Sequence, residues 1–224
     1  MPVAAPIEQI SALSSIPGLK HGFLLRTPGI EVDSPDKNAV LSRLESSHQE
    51  ARNELGMGDW PLVTSSQIHG NEVFEVTEPK TQFIEGVDGL ITNLQAVALG
   101  VHVADCGAVW IVDPLNLAVG MVHSGKKGTE LGIVPRAISR LQERYGSLAG
   151  NLQVSLGPCI RPPAYEIDFA AQIRDQVIGA GVPETQFHDA GICTSSDLSR
   201  FYSYRIEKGH TGRMLALVGW EKQS

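Results

Sequence analysis

A thiol and an imidazole facing each other across a hairpin can share a metal ion, or act as nucleophile and base. Asp113–Pro114–Leu115–Asn116 has the residue types of a four-residue β-turn and is flanked by apolar runs. In a hairpin centred there, paired residues have numbers summing to 229, as Cys106 and His123 do. Their Cβ atoms would then lie about 4.5–5.5 Å apart. Asp105 and Gly107 on one side, and Ser124 and Gly125 on the other, break the apolar pattern as at the open end of a hairpin. A buried Cys beside a satisfied core His fits the same spacing, and a bulge would shift the register and remove the pairing. His69, before Gly70 at a strand break, is a third candidate, and a His there is also a common turn feature. In a regular strand His102 shares the face of Cys106 and is a rival ligand, and a core or solvent-side His is the plainer reading. Lys126 and Lys127 precede Gly128–Thr129 and a helix, whose positive end disfavours cations. An anion at the exposed amides would relieve that conflict; two solvated lysines are the plainer alternative.

Strands and helices must bring these residues together. Residues 36–57 read as the clearest helix: Val40, Leu41, Leu44, His48, Ala51 and Leu55 recur at helical spacing, Ser34 or Asp36 can cap its start, and Gly56 ends it. A strand is expected at 21–25, and strand pattern runs through 62–76 with a break at His69–Gly70–Asn71. The densest apolar region, 89–124, divides into short β-branched runs at 97–104, 108–112 and 117–122, as in buried strands. A helix follows, ending near Tyr145–Gly146, with Pro135 in its first turn or kinking it. Residues 152–156 read as a strand, 169–180 as a helix ended by Gly181, and 201–204 and 214–220 as closing strands. Without strict βαβ alternation, the expected class is α+β.

At 224 residues the chain buries about 70% of its unfolded surface, enough for a core without disulfides or a structural metal. One domain over 1–224 is expected. Lys plus Arg number 18 against 25 Asp plus Glu, a net charge of −7, which argues against nucleic acid as the main partner. Three cysteines, Cys106, Cys159 and Cys193, are too few and odd in number for a disulfide framework, so a reducing cytoplasm is expected. No run approaches the roughly 20 apolar residues of a membrane helix, and residues 1–17 lack the positive start of a signal peptide.

Nine short motifs fall in the order and spacing of one family. They are Gln67–Ile68–His69–Gly70, Asp88–Gly89–Leu90–Ile91–Thr92–Asn93, Ala104–Asp105–Cys106, His123–Ser124–Gly125 and Gly157–Pro158–Cys159–Ile160, then Tyr165–Glu166, Cys193–Thr194, Phe201–Tyr202–Ser203–Tyr204–Arg205 and Thr211–Gly212–Arg213–Met214. From about residue 19 to 218 the chain resembles the YfiH-like or laccase-domain family, also described as multicopper polyphenol oxidase, purine nucleoside phosphorylase or peptidoglycan editing factor. The resemblance implies a layered α/β/β/α sandwich of mixed sheets like the catalytic domain of cytotoxic necrotizing factors. It implies one zinc per chain on His69, Cys106 and His123, with a fourth position open as in catalytic sites. It further implies phosphorolysis of adenosine, inosine, guanosine and methylthioadenosine, and deamination of adenosine. Arg26, Lys127 and Arg205 are the cations at matching positions that could hold phosphate or ribose. Asp105 could orient a ligand or substrate, or cap a strand end.

The chain also departs from the family pattern. The family has His-Ala-Gly-Trp-Arg-Gly where this sequence has His123–Ser124–Gly125–Lys126–Lys127–Gly128, so a stacking aromatic and a bidentate guanidinium are gone. The stretch after Gly157–Pro158–Cys159–Ile160 differs, and the region 165–182 is shortened relative to the family. Two alternatives therefore stand beside the nucleoside enzyme. One is a hydrolase of peptidoglycan precursors with Cys106 as nucleophile and His123 as base; the other is a zinc-binding protein without catalysis. Copper is disfavoured, because multicopper sites use paired His-x-His segments and none of the seven histidines is so spaced. Oligomeric state is not readable.

Overall fold

The computed structural model describes residues 3–223; Met1, Pro2 and Ser224 lie outside the described residues. Two six-stranded mixed sheets pack face to face. In chain order the strands are β1 Ile7–Glu8, β2 Leu19–Leu24, β3 Leu62–Ser66, β4 Val73–Glu75, β5 Gln82–Glu85, β6 Gly89–Thr92, β7 Ala98–Val103, β8 Gly107–Asp113, β9 Ala118–Ser124, β10 Gln153–Leu156, β11 Phe187–Asp189 and β12 Met214–Trp220. The first sheet has the order β1-β2-β12-β7-β3-β5 and the second β11-β10-β8-β9-β6-β4. Pairs β3–β7, β3–β5, β4–β6 and β10–β11 are parallel and the rest antiparallel.

Alternation along the strands divides the core into layers. On β12, Met214, Ala216, Val218 and Trp220 join Phe23, Leu99, Val101, Trp110 and Met121 between the sheets. Leu215 and Leu217 point the other way, against Ala51 and Leu55 at the end of α1 (Lys37–Glu54). On β8, Val109 and Ile111 face outward to α3 (Ile133–Tyr145) and α4 (Phe169–Gly179). The order of layers is therefore helix, sheet, sheet, helices.

Local signals explain the ends of these elements. Asp36 accepts from the amides of Asn38 and Ala39 and starts α1; Gly56 follows its end at a φ of 71°. Pro135 is the third residue of α3, where no amide proton is needed. The expected single helix before Tyr145 is two: α2 (Lys126–Glu130) and α3, divided by Gly132 in the left-handed conformation. Lys126 and Lys127 thus form the first turn of α2 rather than preceding it.

Two expectations are corrected. Residues 201–204 form no strand: the Phe201 amide donates to the Asp197 carbonyl, that of Tyr202 to the sulfur of Met214 and that of Ser203 to Glu207. The β8–β9 hairpin pairs residues summing to 231, not 229, with Ala108 opposite His123 and Gly107 opposite Ser124. Asp113 causes this by accepting from the amides of Leu115 and Asn116, which draws residues 114–117 into a four-residue loop closed by Leu117 at a φ of 48°.

Candidate functional site

The chain crosses from the first sheet to the second between β3 and β4, between β5 and β6, and between β7 and β8. His69 sits in the first of these crossovers and Cys106 in the third. His123 is on β9, beside β8, so three distant segments converge at one end of the sandwich. One ligand atom from each of His69, Cys106 and His123 lies within 4.8 Å of the other two. The two imidazoles meet edge to face, with centroids 4.9 Å apart. Cys106 therefore reaches His123 without being its hairpin partner. His102 is not in this cluster; its backbone is clasped by Gln67 at 2.6 and 3.1 Å, and its ring lies against His48.

Backbone geometry and a close approach shape the cluster. His69 has a φ of 60° and Asp105 a φ of 80°, left-handed conformations that are costly for residues with a Cβ. Gly125 leaves room for sulfur: a Cβ there would stand 2.4 Å from the Sγ of Cys106. Asp105 uses both carboxylate oxygens structurally, accepting from Thr194 Oγ1 at 2.6 Å, Ser203 Oγ at 3.0 Å and the Arg205 amide at 2.7 Å. It ties the loops of 194–205 to the segment carrying Cys106.

Sequence reasoning assigned no role to Asp88, although a family-like motif begins there. Fully buried just before β6, it accepts from His123 Nδ1 at 2.7 Å and from the amides of Ile68, His69 and Gly70 at 3.2, 3.0 and 2.7 Å. Burial alone would raise its pKa, but the His123 bond and these amides hold it below the usual carboxylate range. Burial likewise opposes ionisation of Cys106 and His123, yet the pair overcomes it. The thiol is pushed down by His123 and His69, and the imidazole is pushed up by Cys106 and Asp88. Cys159, buried among apolar side chains, moves the opposite way, to about 12.

The cluster opens into a cavity of about 950 Å³. Lys37, Lys126, Lys127, Arg205, Lys208 and Arg213 line it, and Asp105 is the sole acidic residue among them. Among the described residues only Arg205 of these six is in an ion pair, with Glu166 at 3.0 Å near the surface. In a chain of net charge −7, this concentrates positive charge at one place. The rings of Tyr165, Phe169 and Tyr204 add apolar wall. Of the cations named from sequence, Lys127 and Arg205 are here. Arg26 is not: it pairs with Glu207 at 2.6 Å and stacks 4.4 Å from the Tyr202 ring centroid. Lys37, Lys208 and Arg213 were missed, since Lys37 sits at a helix start, Lys208 in a turn and Arg213 just before the wholly apolar β12.

Comparison with known proteins follows the same lines. A purine nucleoside phosphorylase, YlmD, from Geobacillus stearothermophilus is 29% identical over 211 residues, covering 75% of this chain and 77% of the relative. The crystal structure of YlmD from Geobacillus stearothermophilus superposes with a TM-score of 0.84 at 24% identity, covering 97% of this chain and all of that one. A Bacillus licheniformis hypothetical protein, YfiH, superposes at 0.79 with 23% identity, covering 91% and 93%. These two likenesses concern the fold. No helix among the described residues is long and apolar enough to cross a membrane. The model of one family matches residues 33–172 and 164–221, and the chain belongs to it: the multi-copper polyphenol oxidoreductase laccase family.

Proposed function

We propose that this protein is a zinc-dependent enzyme that cleaves purine nucleosides with phosphate. The observation that carries the reading is the His69–Cys106–His123 cluster at the base of a cavity lined by six cations and one already engaged carboxylate. Two imidazoles and one thiolate suit zinc, and three protein donors leave a fourth position for catalysis. A multicopper centre would need further histidines, and this is the one cluster of at least three metal-ligating side chains among the described residues. Bound there, zinc supplies a Lewis acid at the cavity floor.

The chain's own residues perform the rest. In phosphorolysis a phosphate oxygen bonds to C1′ of the ribose, and the C1′–N9 electron pair leaves with the purine. Lys127 and Arg205 hold the phosphate, with Arg213 and Lys37 adding positive charge at the same cavity. Arg205 and Arg213 present planar forks suited to phosphate oxygens, which restores in part what Lys126 and Lys127 lack relative to the family pattern. The rings of Tyr165 and Tyr204, with Arg205 and Arg213 over them, give the base an aromatic wall in the same cavity. The relatives named purine nucleoside phosphorylase support this substrate class.

A second reading, a Cys106–His123 hydrolase of peptidoglycan precursors, is favoured by the mutual stabilisation of thiolate and imidazolium. Metal analysis combined with a nucleoside panel, with and without phosphate, separates the readings. About one zinc per chain, Cys106 shielded from iodoacetamide, and hypoxanthine released from inosine only with phosphate are expected. Equal release without phosphate points to hydrolysis, ammonia from adenosine to deamination. Full zinc occupancy with no turnover indicates a zinc-binding protein without catalysis. Protein purified free of metal and alkylated at Cys106 favours the hydrolase. A reducing cytoplasm is the compartment this reading expects.

A further inference from the structure

We infer that Asp88 is the positioning residue of the metal centre, one buried carboxylate that sets the orientation of two of its three ligands. The inference rests on the metal reading above. Asp88 Oδ1 accepts from the His69 amide and from His123 Nδ1, while Oδ2 accepts from the amides of Ile68 and Gly70. Residues 19 and 35 positions away are thereby held by a single side chain.

Each contact has a separate consequence. Three successive amides converging on one anion form a nest that fixes the His69 crossover. That clasp offsets the cost of the left-handed conformation, a φ of 60°, in which His69 reaches the cluster. The bond to His123 works through the imidazole. An ionised carboxylate can only accept, so Nδ1 carries the hydrogen and Nε2 is the nitrogen left for a metal. A buried charge is costly without compensation, and the three amides with Nδ1–H supply part of it. With Cys106 as the sole anionic ligand, Asp88 would balance the positive charge that a divalent ion would leave there.

The test compares wild type with Asp88→Asn, which keeps the shape but replaces one acceptor with a donor, opposing either Nδ1–H or an amide. Zinc affinity, measured by chelator competition, should fall about 10–100-fold. The cobalt-substituted protein should show altered thiolate-to-metal and d–d bands. If wild type binds neither metal, the metal reading itself fails. If wild type binds and Asp88→Asn matches it in affinity and cobalt spectrum, the present inference alone fails. A lower melting temperature of the metal-free variant with unchanged zinc affinity would also overturn it, by showing a purely structural clasp. Should the variant not fold, nitrogen NMR of zinc-loaded wild type decides. Coordination of His123 through Nε2 with hydrogen on Nδ1 is expected; coordination through Nδ1 overturns the proposal.

Discussion

His48 and His123 are equally sequestered, 5% and 3% exposed, yet the protein treats them in opposite ways. His48 faces the first sheet from α1; its Nε2 has no protein hydrogen-bond partner, and its nearest aromatic neighbour is another neutral imidazole, His102. Desolvation there is unopposed and lowers its pKa to about 4. His123 suffers the same desolvation, but Asp88 lies on one side and Cys106 on the other, and its pKa rises. Burial by itself makes a histidine a neutral packing residue. Burial between a carboxylate and a thiolate makes it a candidate ligand. Partners, more than depth, distinguish the functional end of this sandwich from the α1 face.

The largest effect should come from breaking that difference at its source. His123→Ala is expected to lose bound zinc and, with a Lewis acid worth several kcal/mol, to lose activity by more than about 10³-fold. His48→Gln should keep zinc and turnover. Loss of metal in His48→Gln, read by elemental analysis, would show that the two histidines are coupled after all. The next largest effect belongs to Gly125→Ala, which touches no ligand chemistry. Its new Cβ would meet the Cys106 sulfur at 2.4 Å, so sulfur or backbone must move. A misplacement of that order should lower kcat/KM about 10²-fold in a folded protein. Unchanged kinetics would mean that the cluster does not require the observed sulfur position.

Acid should unmask His48 as a stability element. Its folded pKa of about 4 lies below the unfolded value of roughly 6.5, so between these limits the unfolded chain binds more protons. Stability is intact above about pH 6.5 and falls as pH drops towards 4, by about 3 kcal/mol from this residue. Urea titrations at pH 7, 5.5 and 4 should show a shallower decline for His48→Gln than for wild type. Parallel declines would assign the acid sensitivity to other groups; His102, also pushed down by burial, is the first of them.

The same contrast marks where sequence was legible. α1 could be read because its signals are local: the Asp36 cap, the apolar repeat from Val40 to Leu55, and Gly56. β12 could be read because Met214 to Trp220 is apolar on both faces, each covered. The Cys106–His123 neighbourhood was legible from hairpin arithmetic, but its register was not. Asp113 binds the amides of its own loop and lengthens that loop beyond the tight turn suggested by Asp-Pro-Leu-Asn. His69 was a candidate at a strand break, but only a family-like motif joined it to Cys106 and His123, since its position depends on a crossover between sheets. Asp88 was illegible for the same reason. Its partners lie 18 to 35 residues away, and it meets His123 only because β6 lies beside β9.

Arg26 offers the smallest effect and the sharpest control on the role of partners. Like Lys127 it is named from sequence as a cation that could hold phosphate, but its guanidinium already has an anion. Nη2 donates to Glu207 at 2.6 Å, Nε donates to the Phe201 carbonyl at 3.1 Å, and the Tyr202 ring covers its face. Glu207 has further donors in the Ser203 amide and Thr211 Oγ1, so removing Arg26 leaves that carboxylate partly satisfied. Both ends of the pair are only about 20% exposed, so the bridge is worth more than a surface one. Arg26→Met should cost about 1 kcal/mol, lowering the melting temperature by about 2–4 °C. The KM for phosphate should not move, because Arg26 does not line the cavity. A tenfold rise in that KM with an unshifted melting temperature would reverse the assignment, placing Arg26 with the substrate and Glu207 in the role of a displaceable partner.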